Sequence, residues 1–314
     1  MTGTSAWGAI IKLRDNYNDP HWWRLQAYSF ANRIQSIYPG DKGSVDVMAE
    51  DWDNLIILDA CRADLFEEVV DLEQFDEYRT VTSPASMTPE WVEVNFAEQE
   101  FGDTVYVTSN PYVSKLAGDS FHDLRECYHD GFDPEYRTVL PETITDAALA
   151  ERNRYPKKRL VVHYMQPHHP FVGDGDLQKF SNWDLRELVN DKSVKGLNDP
   201  FEALEYGLVD RERVWQAYRE NLDIVIQDVS NLISELPGRT IVTSDHGNLV
   251  GDFVWPIPVR GYGHPKGLRS TALTEVPWAI MEGSRIDTTN EGTNNSGQVD
   301  DDIVNDRLGA LGYT

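Results

Sequence analysis

Residues 240–247 read Thr-Ile-Val-Thr-Ser-Asp-His-Gly, a β-branched run that stops abruptly at Asp245 and His246. Branched residues favour a buried strand. A carboxylate beside an imidazole at the carboxyl end of that strand makes a poor core and a good pair of ligands for a divalent cation. A second apolar run, Asn54-Leu55-Ile56-Ile57-Leu58, closes in Asp59-Ala60-Cys61-Arg62. Taken alone, Asp59 could equally cap a following helix, and Asp245 could start a turn that leaves His246 incidentally exposed. Neither alternative explains acidic chemistry at both ends. A cation needs ligands converging from separate elements, and these ends would supply Asp59, Asp245 and His246.

Three further stretches carry reactive groups. His168 and His169 stand between Pro167 and Pro170, in a loop that proline stiffens, although a packed loop histidine fits equally well. His264 and Lys266 lie in Gly261-Tyr262-Gly263-His264-Pro265-Lys266-Gly267, where glycines allow close approach of backbone to a ligand and the ammonium could meet an anion. The hydroxyls of Ser86 and Thr88, in Thr82-Ser83-Pro84-Ala85-Ser86-Met87-Thr88-Pro89, are nucleophile candidates that need a base or a metal for activation. Between prolines they are also ordinary turn residues.

Such groups must be held by regular elements. Strands are expected at 54–58, at 104–107 before Thr108-Ser109-Asn110, at 159–164 and at 241–243. A long helix between Arg211 and Leu236 repeats its apolar positions Val214, Tyr218, Leu222, Val225, Val229 and Ile233 at spacings of three and four. Alternating strands and helices predict an α/β chain, a three-layer αβα sandwich with a largely parallel central sheet and ligands at the strand ends. Residues 1–50 read as a helical extension packed on the core and closed by Pro39-Gly40; docking of Trp22-Trp23 on a partner or membrane surface is the alternative. Residues 51–314 form the main domain. The polar segment from Gly173 to Leu208 is expected to cover the site, with Lys179, Trp183, Arg186 and Lys192 selecting a leaving group, a surface loop without a ligand being an equal alternative. Asp287 to Gln298 reads as a loop.

Charge is the anomaly of the composition: 53 acidic against 28 basic residues, a net charge of −25. The acids are spread along the chain, as on a surface adapted to a high-salt cytoplasm. Nucleic acid is excluded as a partner, because phosphate backbones require basic patches. Two cysteines, Cys61 and Cys127, give no disulfide framework or zinc-finger spacing. With no bilayer-length apolar run and no basic start before a long apolar stretch, a cytoplasmic protein without stable membrane insertion is expected.

In order, these segments resemble the sulfatase branch of the alkaline phosphatase superfamily, in a halophilic (haloarchaeal) form. The resemblance runs through N-L-I-I-L-D-A-C-R-A-D, S-P-A-S-M-T-P, P-H-H-P-F, the helix and strand ending in T-S-D-H-G-N-L-V-G, G-H-P-K-G, V-P-W and the terminal R-L-G-A-L-G-Y, over roughly residues 51 to 314. It implies an alkaline phosphatase-like catalytic domain acting on phosphate or sulfate esters, with a small-molecule or a glycan- or lipid-linked anionic ester as substrate. Asp59, Asp245 and His246 fall on metal-ligand positions for one or two divalent ions. His168 falls on the loop histidine beside the leaving group or a second metal. His264 falls on a further ligand or substrate contact, and Lys266, His169 and Arg62 on the substrate side. Ser86 aligns best with the nucleophile, with Thr88 second, since phosphoglycerol-transferase relatives use threonine. The run Ser86-Met87-Thr88-Pro89-Glu90 departs from the C/S-x-P-x-R signature that matures to formylglycine, and Ala60 replaces an acidic residue common in sulfatases. Phosphoester chemistry with manganese or zinc rather than calcium is therefore expected ahead of a true sulfatase with formylglycine at Ser86. A catalytically degenerate scaffold in envelope or glycan assembly is the non-enzymatic alternative.

Overall fold

Successive side chains of the strand Asn54–Leu58 enter two different cores. Ile56 and Leu58 pack with Val105, Val107, Leu160, Val162 and Val242 on one face, whereas Leu55 and Ile57 pack with Tyr106, Val161 and Ile241 on the other. This period of two, with apolar residues on both sides, requires a sheet covered on both faces. The computed structural model describes residues 14, 16–18, 20–35, 43–173, 177, 199–256, 258–293 and 301–310. Pro39-Gly40 and the expected site-covering residues Lys179, Trp183, Arg186 and Lys192 lie outside the described residues.

The first half of the chain forms α1 (Pro20–Gln35), β1 (Asn54–Leu58), α2 (Ala63–Val69), β2 (Glu77–Thr82), α3 (Thr88–Asn95), β3 (Phe101–Thr108), α4 (Pro111–Ala117), β4 (Phe121–Glu126), β5 (Phe132–Asp133), β6 (Thr138–Val139) and α5 (Pro141–Arg154). The second half forms β7 (Arg159–Tyr164), α6 (Pro200–Glu205), α7 (Arg211–Glu235), β8 (Thr240–Thr243), β9 (Leu249–Val254), β10 (Val259–Gly263), α8 (Thr271–Thr274), β11 (Glu275–Met281) and α9 (Asp301–Ala310). The central sheet has the order β2-β11-β8-β1-β7-β3-β4. From β8 to β4 every pairing is parallel, and β11 is antiparallel to both β8 and β2. Helices α2, α5 and α7 cover one face, and α3 and α4 the other. This is the expected αβα sandwich, extended by the antiparallel β2 and β11, which the apolar patterning had not marked.

Helix α7 joins the layers to the site. Val214, Tyr218, Leu222, Val225 and Val229 are buried in the core, and Ile233 packs partly against it. One polar stripe of the same helix serves the loops above the sheet. The Tyr218 hydroxyl donates to the Ala60 carbonyl. Asn221 Nδ2 donates to the carbonyls of Pro167 (3.1 Å) and His168 (3.0 Å), while its Oδ1 accepts from Val172 N at 3.0 Å. Thus α7 fixes both the turn after β1 and the His-Pro loop after β7.

Helix α1 packs Tyr28 and Ala31 against Leu249, Val254, Leu268 and Leu273. Gln35 ties it to the Trp255 carbonyl (2.5 Å) and to Arg269 N (2.5 Å), and Arg24 pairs with Glu205 at 2.6 Å. Among the described residues no helix is long and apolar enough to cross a membrane. Residues 287–293 are irregular, and Lys158 Nζ anchors them by donating to Thr289 O at 2.8 Å.

Removing the Tyr218 hydroxyl leaves the buried Ala60 carbonyl without that donor. Tyr218→Phe is therefore expected to lose about 1–3 kcal/mol. Urea unfolding should show a lower midpoint with an unchanged slope, and an unchanged midpoint would refute this account.

Candidate metal centre and its surroundings

Strands β8, β1, β7 and β3 lie side by side and parallel, so their carboxyl ends deliver four groups to one place. Asp59 follows β1, Asp245 follows β8, His163 is the penultimate residue of β7, and Asn110 stands in the turn after β3. Backbone bonds extend the ladder into these turns: Asp59 N donates to Tyr164 O (3.1 Å), Ser109 N to His163 O (3.2 Å) and His168 N to Asp59 O (3.1 Å). The site is thus an extension of the sheet and inherits its rigidity.

Thr88, the first residue of α3, places its hydroxyl at the centre. Its Oγ1 donates to Asp245 Oδ2 at 2.7 Å and lies 3.3 Å from His246 Nε2 and 3.5 Å from Asp59 Oδ2. His246 Nε2 is 3.4 Å from Asp245 Oδ2 and 3.7 Å from Asp59 Oδ1. Thr88, Asp59, Asp245 and His246 are all fully buried.

Each of these groups is oriented by a second contact. Asp245 Oδ1 accepts from Ala60 N (2.9 Å) and His246 N (2.8 Å), which leaves Oδ2 for the centre. The Ala60 donor reaches it because Ala60 adopts a left-handed φ of 58°, a region that disfavours a residue with a Cβ. Asn110 Nδ2 donates to Asp59 Oδ2 at 2.7 Å, and Asp59 Oδ1 is buried with no hydrogen-bond partner among the described residues. His246 Nδ1 lies 2.8 Å from Gly247 O and His168 Nδ1 lies 2.6 Å from His169 O; a carbonyl only accepts, so each Nδ1 carries a proton and each Nε2 is left for other contacts. Gly247 is required by close approach, since a Cβ there would come within 2.2 Å of Ala272 O.

The electrostatics follow from burial. Burial, reinforced by the Asp245 carboxylate, pushes Asp59 well above the usual carboxylate range. Burial also lowers His163 to about 4 and holds His168 and His264 well below the ordinary imidazole value, with neighbouring histidines adding to the shift. At neutral pH these three imidazoles are neutral and offer lone pairs. An orphaned carboxylate oxygen, a second carboxylate and a neutral imidazole nitrogen suit a divalent cation, which would replace the missing positive charge. His163 adds a further potential ligand. Its Nε2 has no hydrogen-bond partner among the described residues and lies 3.8 Å from Asp59 Oδ2, and ligand atoms of Asp59, His163 and Asp245 fall within 4.8 Å of one another.

The other expected site residues divide into two groups. His264 joins the imidazole cluster, its ring centroid 4.9 Å from that of His246 and 5.1 Å from that of His168. His169 stacks near His168 at 4.3 Å and packs on Phe201. Lys266 is exposed beside His264. Ser86 points elsewhere. Its Oγ lies 3.0 Å from Glu90 Oε2 and 2.9 Å from Pro265 O, and Glu90 Oε2 also accepts from Gly267 N at 3.3 Å. This clasp ties the hydroxyl segment to the His264 loop, and it places Thr88 rather than Ser86, the expected first choice, among the carboxylates. Arg62, expected on the substrate side, has its guanidinium held by Asp64 (2.6 Å), Asp252 (2.8 Å) and the Asn248 carbonyl (3.0 Å). The residue patterns had not marked His163, Asn110, Glu90 or Asn248. His163 alone carried a signal, as the imidazole inside an otherwise apolar strand.

No family model matches the chain, and no curated protein does. Among solved structures it is similar to the integral membrane protein lipooligosaccharide phosphoethanolamine transferase A (EptA) from Neisseria meningitidis, at 13% identity over 74% of this chain and 47% of that one, TM-score 0.47. A second is the zinc complex of the C-terminal periplasmic domain of EptC from Escherichia coli, at 14% identity over 74% and 72% of the two chains, TM-score 0.48. A third is a 2-O GAG sulfatase, at 11% identity over 74% and 64%, TM-score 0.45. Likenesses this distant assign neither activity nor substrate.

Burial of Asp59 beside Asp245 has a measurable consequence in metal-free protein. A carboxyl raised in the folded state carries no penalty below its unfolded value of about 4, and folding loses stability as pH rises above that point while only the unfolded chain ionises. Asp59→Asn is therefore expected to be more stable than the parent without metal, by a margin that grows from pH 4 upward. Zinc or manganese should raise the melting temperature of the parent and not of Asp59→Asn. Equal metal-induced shifts in both proteins would remove Asp59 from the ligand set.

Proposed function

We propose that the protein is a metal-dependent hydrolase or transferase of phosphate or sulfate esters, with Thr88 as its nucleophile. One observation carries this reading: the buried Thr88 hydroxyl donates to Asp245 Oδ2 at 2.7 Å, beside His246 Nε2 and the orphaned Asp59 Oδ1. A hydroxyl is a weak nucleophile until its proton has somewhere to go, and here that acceptor is already in place. Asp59, Asp245 and His246, with His163 beside them, form a mixed carboxylate–imidazole set that favours manganese or zinc over calcium, which takes more oxygen ligands. Bound there, such a cation would lower the proton affinity of the Thr88 hydroxyl and offset negative charge on the attacked group.

The chain's own residues divide the remaining work. Thr88 Oγ1 passes its proton to Asp245 Oδ2 and attacks phosphorus or sulfur in line with the departing ester oxygen. The departing oxygen takes a proton from solvent water. In the second half-reaction the Nε2 lone pair of His168 or His264 accepts the proton of an incoming water or acceptor hydroxyl, whose oxygen displaces Thr88 Oγ1 as Asp245 returns its proton there. The imidazolium then gives its proton to solvent. Both imidazoles are neutral, because burial and the neighbouring histidines hold them well below the ordinary imidazole value. Lys266, exposed and two residues from His264, is the cation of this loop that would meet an anionic substrate, such as a glycan- or lipid-linked ester. The Ser86–Glu90–Pro265 clasp favours this assignment over formylglycine chemistry at Ser86. The net charge of −25 supports assays in high salt.

The test is a panel of nitrophenyl phosphate monoesters, phosphate diesters and sulfate esters with manganese, zinc or calcium. Thr88→Ala is expected to lose turnover by about 10³-fold or more, Thr88→Ser to retain part of it, and Ser86→Ala to stay within about tenfold of the parent. Mass spectrometry of quenched turnover on a phosphate ester should show a gain of about 80 Da on Thr88. Turnover that survives Thr88→Ala and fails with Ser86→Ala would overturn the nucleophile, and an oxidised Ser86 would move the reading to a sulfatase.

A further inference from the structure

Asn248 is buried beside the site without being part of it as described so far. Its Oδ1 lies 3.1 Å from His264 Nδ1, and its Nδ2 is buried with no hydrogen-bond partner among the described residues. A buried amide donor left unpaired costs about 1–3 kcal/mol, so such a group needs a reason. The backbone around it is firmly held. Arg62 Nη1 donates to the Asn248 carbonyl at 3.0 Å, Gly247 N donates to Leu273 O at 2.7 Å, and Val250 N donates to Asp252 Oδ2 at 2.7 Å. Arg62 is itself clamped by Asp64 and Asp252 and lies over the Trp215 ring. The amide is therefore presented from a fixed base.

That placement has two chemical consequences. With Oδ1 as acceptor, His264 keeps its proton on Nδ1, as His246 and His168 do, and turns the Nε2 lone pair outward. The Asn248 amide also holds its two Nδ2 protons at the edge of the imidazole cluster, where no carbonyl or carboxylate of the described chain receives them. Lone pairs of neutral imidazoles repel an oxyanion, so an amide donor among them is a complementary contact for one.

We infer that Asn248 is a positioning residue that fixes His264 in its Nδ1–H tautomer, and that its Nδ2 donates to an oxyanion of the phosphate or sulfate group bound there. The inference rests on the ester chemistry proposed above for the substrate contact, and on geometry alone for the tautomer. Two substitutions separate its parts. Asn248→Asp keeps an acceptor for His264 and removes the donor, whereas Asn248→Leu removes both.

Long-range ¹H–¹⁵N correlation spectra of the zinc-loaded protein read the tautomer directly, with the His264 signals assigned through His264→Gln. The parent and Asn248→Asp are expected to show His264 protonated at Nδ1, and Asn248→Leu to lose that pattern. Calorimetric titration with inorganic phosphate, and separately with sulfate, should show affinity reduced about tenfold in both variants, the loss of one hydrogen bond to a charged group. Melting curves identify a variant that has failed to fold, and Asn248→Asp, the nearly isosteric change, keeps the donor test intact in that event. An unchanged His264 pattern in Asn248→Leu would overturn the positioning role. Unchanged anion affinity in Asn248→Asp, or no anion binding by the parent, would overturn the donor role. Failure of the ester chemistry itself would appear elsewhere, as silence of the parent across the ester panel with the tautomer pattern intact.

Discussion

Two carboxylates buried at the ends of neighbouring strands are the constraint to which the rest of the site answers. Burial and the neighbouring Asp245 carboxylate together push Asp59 well above the usual carboxylate range, so its charge in this dry interior needs compensation. The chain compensates unequally. Asp245 is surrounded by donors, with Ala60 N and His246 N on one oxygen and the Thr88 hydroxyl on the other. Asp59 receives the Asn110 amide on one oxygen and leaves the other orphaned. An asymmetric pair of this kind is a poor structural element and a good receptor for a positive charge.

The sheet makes that arrangement sustainable. Parallel strands covered on both faces present their carboxyl ends in register, and the first residues beyond β1 and β3 remain within the backbone hydrogen-bond network. Helix α7 then braces the turn after β1 and the loop after β7, through Tyr218 on the Ala60 carbonyl and Asn221 on the His-Pro loop. Positional precision at the site comes from these supports as much as from the ligating groups, since an orienting partner decides which atom of each side chain faces inward.

Three histidines share one device. His246, His168 and His264 each spend Nδ1 on an oxygen of the adjoining chain, a backbone carbonyl in two cases and the Asn248 amide in the third. Each presents Nε2. His168 and His264 thus offer lone pairs rather than positive charge, on a chain with a net charge of −25. Attraction of an anionic ester under the proposed function falls to the cation, to Lys266 and to amide donors.

Much of this was legible in the residues. The apolar runs of β1, β7 and β8 and the three–four spacing of α7 fixed the class of the fold, because burial on both faces leaves a continuous signal. The punctuation of those runs by Asp59 and by Asp245-His246 marked the site, because a charged group rarely ends a buried strand without a partner. The antiparallel β2 and β11 escaped notice: an exposed edge strand such as Glu77–Thr82 has no apolar period to read. Ser86 and Thr88 could not be ranked from composition, since two hydroxyls two residues apart look alike in a row of letters. The start of α3 turns Thr88 toward the carboxylates, and Glu90 draws Ser86 away. Arg62 shows the same limit, for its partner Asp252 is 190 residues away, and Asn248 meets His264 only through the pairing of β9 with β10. The sequence by itself determined which elements form and which residue types gather at their ends, because those follow from local period and burial. Only the tertiary structure decided which atom of each residue faces its neighbours, because that depends on contacts between chain segments up to 234 residues apart.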